Sequence, residues 1–281
     1  MRSGVRLIVH ADDFGIAEAV NRGIVEAHEH GIVTSTSIMA TGAAFAHAVA
    51  LAKSHPMLDL GVHLTLTEER PLLADTAAAS LVGADGRFPP HVAQFAGLQL
   101  RGKISSAAVR AELDAQVRKV LDTGLAVSHL DGHQHVHVLP RVAAIVAELA
   151  ARYGISAVRY PAERVRAYML RRLGRARRLA EQLALGCVAA LSPLRALRRS
   201  DEFVGFFFGG RLNEANLATV LAGLPKTGTV ELMCHPGADD MRPVNDDWQY
   251  AWAAERAALV SPGIRELVAA RGMQLISYRD V

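Results

Sequence analysis

Two rhythms of apolar and polar positions take turns along the chain. Short apolar runs of the kind that form buried strands occur at Val5–Val9, Val33–Met39, Leu58–Leu66, Ala126–Asp131, Ile155–Tyr160, Thr229–Cys234 and Met273–Tyr278. Between them the apolar residues recur at helical spacing. Ile16, Val20, Ile24 and Ala27 do so within Ile16–His30, and Gly31 stands where that helix would stop. Ala43–Ser54, Ser105–Thr123, Pro140–Tyr153 (proline in its first turn), Asn213–Ala222 and a helix from about Trp248 to Arg271 follow the same rule. The stretch after the third run, with Pro71, Gly83, Gly86, Pro89 and Pro90, reads as a long loop of the kind that carries function or is disordered. Seven strands alternating with helices predict an α/β fold. The expected form is a parallel sheet closed, or nearly closed, into a single (β/α) barrel over residues 1–281, with an open doubly wound sheet as the rival.

The placement of charge favours the barrel. Asp12 and Asp13, His63, the group His129 to His137, and His235 all follow the C-terminal ends of strands, which in a barrel share one rim. The densest group is Ser128–His137. His129, Asp131, His133, His135 and His137 occupy odd positions, so an extended backbone would point all five the same way. Four of the chain's 12 histidines fall in those nine residues. They form either a polar loop or a metal site. Of the adjacent acids Asp12 and Asp13, one could simply cap the next helix. Taken with His63 and His133, one carboxylate and two imidazoles suit a divalent ion with positions left open for water and substrate. The second acid is then free to act as a base. His235 is either a turn residue or the acid for a leaving amine. Arg159 either lies on the surface or orients the base through a charge-assisted hydrogen bond.

Composition narrows the setting. With 281 residues, 51% of them hydrophobic, the chain can bury a sizeable core, and its two cysteines exclude a disulfide scaffold. The four-residue apolar run at the start is too short for a signal peptide, and no uncharged apolar run approaches ~18 residues. A soluble, cytoplasmic protein is expected. The net charge of +3 conceals an asymmetry: Ala162–Ser200 holds ten arginines, no lysine and two acids, a net +8, which leaves the rest of the chain at −5. There Val165, Tyr168, Met169, Leu173, Ala176, Ala180, Leu183 and Cys187 follow helical spacing, with Arg164, Arg171, Arg175 and Arg178 on another side. This predicts a basic amphipathic helical insert at 162–200. It suits peripheral contact with an anionic membrane, with Arg171, Arg175 and Arg178 toward lipid. A solvated helix or a homodimer contact is the plainer reading. No aromatic interleaving or recognition motif points to nucleic acid.

Five blocks carry a resemblance: His10–Gly15 (His-Ala-Asp-Asp-Phe-Gly), Gly61–Thr67, His129–His137, Met233–Gly237 and Ser277–Val281. In this order, over nearly the whole chain apart from the insert, they resemble the YdjC-like carbohydrate deacetylase family. The resemblance implies a (β/α) barrel and metal-dependent removal of acetyl groups from N-acetylated sugars. It implies Asp13, His63 and His133 as ligands of one divalent ion, zinc or magnesium, and Asp12 as the general base. Similarity to polysaccharide deacetylases suggests His235 as the acid. His129, Asp131, His135 and His137 then back the ligands or face the substrate. The insert most resembles the hopanoid-biosynthesis-associated branch, which implies an N-acetylglucosaminyl glycolipid as substrate and a place on the inner membrane face. A chitooligosaccharide is the alternative substrate. A glycosidase would need two carboxylates roughly 5 to 9.5 Å apart across the sugar bond, and Asp12 and Asp13 crowd one position. A catalytically silent carbohydrate- or lipid-binding barrel is the remaining rival.

Overall fold

β1 (Val5–Phe14) pairs in parallel with three other strands and is the spine of the sheet. Its apolar run is buried on both faces, as a parallel strand under helices must be. The structure, a computed structural model, describes residues 4–241 and 248–281. The other strands are β2 (Ser35–Ile38), β3 (Asp59–Leu64), β4 (His129–Gly132), β5 (Ala157–Val158), β6 (Glu202–Val204), β7 (Gly228–Cys234) and β8 (Gln274–Ile276). All pairings are parallel in the order β5-β4-β3-β2-β1-β7-β6, and β8 lies along Arg6–Ile8 of β1. The curled sheet and its helices form the expected α/β barrel. β6 is the strand that sequence reading missed: it opens on Glu202, just after Asp201, and only Phe203 and Val204 stand as an apolar run before Gly205.

Helices α1 (Glu18–Glu29) and α2 (Phe45–Ser54) follow β1 and β2; α3 (Asp75–Ala78), α4 (Val92–Leu100) and α5 (Ser106–Leu121) follow β3. Then α6 (Pro140–Tyr153) follows β4, α7 (Ala167–Leu170) and α8 (Ala176–Ala190) follow β5, α9 (Glu214–Ala222) follows β6, and α10 (Trp252–Val260) and α11 (Pro262–Ala270) follow β7. Two expectations are corrected. The long loop contains α3 and α4 and buries Leu81, Phe88 and Phe95. The last long helix is two, because Pro262 has no N–H to continue α10 and instead opens α11.

The seam between β5 and β6 is stitched by the two ends of the arginine-rich segment: Ala157 pairs with Arg198, and Glu163 with Phe203. The segment is broken into α7, a short turn and α8, and α8 lies the opposite way round from expectation. Ala176, Ala180, Leu183 and Cys187 are exposed, while Arg178, Leu179, Gln182, Leu185 and Ala189 lie against the barrel. Aromatic rings supply the reason. The Arg178 guanidinium sits 3.8 Å above Phe206, and that of Arg175 lies 5.6 Å from Phe207 and 5.4 Å from Phe208. Arg175 and Arg178 also donate to the carbonyls of Phe207 (2.8 Å) and Phe206 (2.9 Å). Of the three arginines expected to face lipid, Arg171 alone is exposed. Among the described residues no helix is long and apolar enough to cross a membrane.

Candidate metal centre and its buried ionic support

The pairing of β1 with β2 slips register between Ala11 and Phe14, and Asp13 takes a left-handed φ of 67°. A bulge of this kind re-aims side chains, and here both neighbouring acids approach His63 at the end of β3. Asp13 Oδ1 lies 3.3 Å from His63 Nε2 and 2.9 Å from His133 Nδ1, and all three residues are buried. One carboxylate oxygen and two imidazole nitrogens, all within 4.8 Å of one another, suit a divalent ion. The far nitrogen of each imidazole meets a carboxylate: His63 Nδ1 is 2.9 Å from Asp131 Oδ1, and His133 Nε2 is 2.8 Å from Glu68 Oε2. Ligand histidines are typically oriented in this way. Burial opposes protonation of both rings. Asp131 and Asp13 overcome it at His63, and Asp13 and Glu68 at His133, holding the pKa values up at about 10 and about 9.

Two other groups have similar spacing, His10–His129–Asp131 and Asp12–His63–Asp131. They fit an ion less well, because Arg159 Nη1 is 3.0 Å from Asp131 Oδ2 and 2.6 Å from Asp12 Oδ2, and Nη2 is 2.7 Å from His10 Nδ1. A second cation there would meet a fixed positive charge.

Arg159 is therefore not a surface residue; it is wholly buried at the centre of a layer of charge. Nη1 and Nη2 grip the two oxygens of Asp12, both at 2.6 Å, and Nε donates to Glu231 at 2.7 Å. Tyr278 donates to the other Glu231 oxygen at 2.5 Å. His10 Nδ1 lies 2.9 Å from Asp12, and His10 Nε2 lies 2.8 Å from His129 Nε2, so these two rings share one proton. The His129 ring fits because its partner in register is Gly61, where a Cβ would come within 2.4 Å of it. Burial pushes Asp12 up, but Arg159 and His10 outweigh it and hold the carboxyl well below its usual range.

The five odd-numbered residues do not share a face. β4 ends at Gly132, and Gln134 and His135 then adopt left-handed backbone (φ 49° and 56°), which breaks the alternation. His129 and Asp131 join the ionic layer, while His133 reaches Asp13. His135 packs on Phe203 and Phe206, with ring centres 5.7 and 5.5 Å away, and His137 Nε2 donates to the Arg159 carbonyl at 3.1 Å. Burial keeps both of these rings neutral, with His137 drawn down to about 4. His235 sits beside Tyr250, ring centres 4.8 Å apart, and its backbone N–H donates to Glu255 at 2.6 Å. Burial lowers its basicity too.

Sequence reading missed Glu68, Ser37 and Glu255. Ser37 donates to Asp131 at 2.9 Å. Nothing in the sequence singles out Glu68; its backbone in the structure does. Among the described residues, the non-glycine residues with left-handed φ are Asp13, Glu68, Gln134, His135 and Gln249, each in this site or at its rim. Such strain persists where the surroundings over-determine it. Next to the triad a cleft of about 320 Å³ is lined by Glu68, Glu69, Asp85, Arg87, Phe88, Pro90 and Trp248. Trp252 is buried in the core, whereas Trp248 and Tyr250 are half-buried at the rim, Trp248 with its ring 5.2 Å from His133.

The model of the YdjC-like protein family matches residues 6–270. A carbohydrate deacetylase of Geobacillus stearothermophilus is 36% identical over 275 residues, covering 97% of this chain and 96% of the relative. One of Homo sapiens is 37% identical, covering 100% and 92%. A chitooligosaccharide deacetylase of Yersinia enterocolitica is 32% identical, covering 98% of each. A solved structure from Enterococcus faecalis superposes with a TM-score of 0.78 at 27% identity, covering 99% of both chains. The chain belongs to the YdjC-like family.

Proposed function

We propose that this protein is a carbohydrate deacetylase that hydrolyses the N-acetyl group of an N-acetylglucosaminyl substrate with one divalent ion. The observation that carries the reading is the Asp13–His63–His133 group placed beside an ionised Asp12, next to a cleft of about 320 Å³. Cavities of this size suit small ligands, and the carbohydrate deacetylases among its relatives support the reaction. The ion, bound by Asp13, His63 and His133, would polarise the acetamide carbonyl and acidify water; the ligand set leans to zinc over magnesium. Asp12, fixed by Arg159 and His10, takes a proton from water as the oxygen bonds to the amide carbon. The carbon–nitrogen bond then breaks to give acetate and the free amine. His235 is the proposed donor to that amine. Because burial keeps it neutral, it must gain a proton within the cycle. His129 and Asp131 support the site from below, and His135 and His137 line its flank.

The substrate we favour is a glycolipid, an acetylglucosaminyl hopanoid met at the inner face of the cytoplasmic membrane. Support comes from the surface: of seven exposed large hydrophobic residues among those described, Val165, Leu170, Leu183 and Leu191 belong to 162–200, beside exposed Arg171 and Arg172. Exposed apolar side chains on an arginine-rich segment suit an anionic bilayer. The test is mass spectrometry of hopanoid lipid extracts and of chitooligosaccharides, each incubated with the metal-loaded protein. Loss of one acetyl group from the lipid supports the glycolipid. Loss from chitooligosaccharides alone leaves a deacetylase with the other substrate, and loss from neither fits the silent barrel.

A further inference from the structure

Glu68 lies just beyond β3 in a left-handed conformation (φ 65°) that a Cβ disfavours. Its backbone is fastened there from both sides. The N–H donates to the Pro89 carbonyl at 3.1 Å, and its own carbonyl accepts from Arg87 at 3.1 Å. So held, the carboxylate reaches both a candidate ligand and the rim of the cleft. Oε2 is 2.8 Å from His133 Nε2, and Oε1 accepts from Trp248 Nε1 at 2.8 Å. An imidazole on a single pivot can swing, and either nitrogen can carry its proton. A carboxylate on Nε2 settles both matters: it fixes the ring plane and keeps a proton on Nε2, so that Nδ1, facing Asp13 and His63, is the nitrogen that gives up its proton to an ion.

We propose that Glu68 is the positioning residue of the ion site, a role that rests on reading Asp13, His63 and His133 as the ligands. It ties His133 to Trp248 at the rim, so that the aromatic wall of the cleft and the aim of the ligand are set by one side chain. The Asp131 contact on His63 does the same for the other ring from inside the barrel. Glu68 works from the cleft side, where substrate arrives.

The test is zinc affinity of the purified, metal-stripped full chain, read by competition with a chromophoric chelator, with no substrate present. Glu68→Ala should bind zinc about 10- to 100-fold more weakly than the unsubstituted protein, the usual cost of losing such a partner. Glu68→Gln, which keeps the shape and one acceptor oxygen, should fall between the two, and it decides the matter if the alanine variant does not fold. Trp248→Phe should lose less than Glu68→Ala. Asp13→Asn is the reference and should lose binding altogether. Unchanged affinity in both Glu68 variants, while Asp13→Asn fails to bind, overturns the role of Glu68 and leaves the ligand set standing. Unchanged affinity in Asp13→Asn overturns the ligand set and the role of Glu68 with it.

Discussion

Arg159 holds Asp12 by both ends: Nη1 and Nη2 each donate to a different carboxylate oxygen, both at 2.6 Å, in a wholly buried pair. The fork fixes the plane of the carboxylate and keeps it ionised. Lysine, a point charge, cannot reproduce that grip. Arg159→Lys should therefore fold, bind metal and lose most of its turnover, with kcat falling more than KM rises. Arg159→Ala should do worse, because Asp12, Asp131 and Glu231 would remain buried without their cation. Breaking a buried pair costs about 3–5 kcal/mol, and urea unfolding of the two variants would show the difference.

Asp12 and Asp13 are neighbours with different surroundings, and substitution should separate them. Asp12→Asn is expected to retain the ion and lose about 10²- to 10⁴-fold in acetate release, the usual contribution of a general base. Asp13→Asn and His133→Ala are expected to lose the ion itself. Calorimetric titration with zinc, run alongside the acetate assay, distinguishes the two outcomes. Full activity in Asp12→Asn would show that another group takes the proton.

Glu255 sets a dependence on pH. Burial pushes its carboxyl from 4.5 up to about 8, even though the N–H groups of Leu212 and His235 pull the other way. Between these values the folded chain holds a proton that the unfolded chain has released. The stability from this group is thus complete below about 4.5 and declines as pH rises toward 8, by about 1.4 kcal/mol per pH unit at most. Glu255→Gln should remove that slope. Denaturant midpoints at pH 5.5 and pH 8, compared with the unsubstituted protein, test it, and parallel changes in the two proteins would refute it.

The reversed face of α8 predicts a division of labour. Leu183→Ser with Leu191→Ser, both on the outer surface, should weaken sedimentation with anionic vesicles and leave hydrolysis of a water-soluble substrate intact. Arg178→Ala should do the opposite. It releases Phe206, which packs on His135, and so should raise KM while vesicle binding persists. Equal loss of vesicle binding in both variants would argue against the leucine surface.

The periodic pattern revealed the barrel because seven of its strands lie in apolar runs long enough to show a rhythm, and charged or imidazole residues stand at the ends of four of them. It placed Asp13, His63 and His133 at strand ends, where they do meet. It misjudged the run from His133 to His137, because period-two parity holds only while the backbone stays extended, and Gln134 and His135 are left-handed. It could not choose between a surface and a buried Arg159, since one arginine among three acids is a fact of tertiary packing. On α8 the spacing identified two faces correctly but assigned them to the wrong neighbours. Guanidinium groups usually seek water, and here they found the rings of Phe206 to Phe208.

The most direct measurement is anomalous diffraction at the zinc edge from crystals of the metal-loaded protein. The account predicts one strong peak bonded to Asp13, His63 and His133, with metal–nitrogen distances of about 2.0–2.1 Å and Asp12 alongside but uncoordinated. A peak among His10, His129 and Asp131 instead, or none at all in an active enzyme, would contradict it.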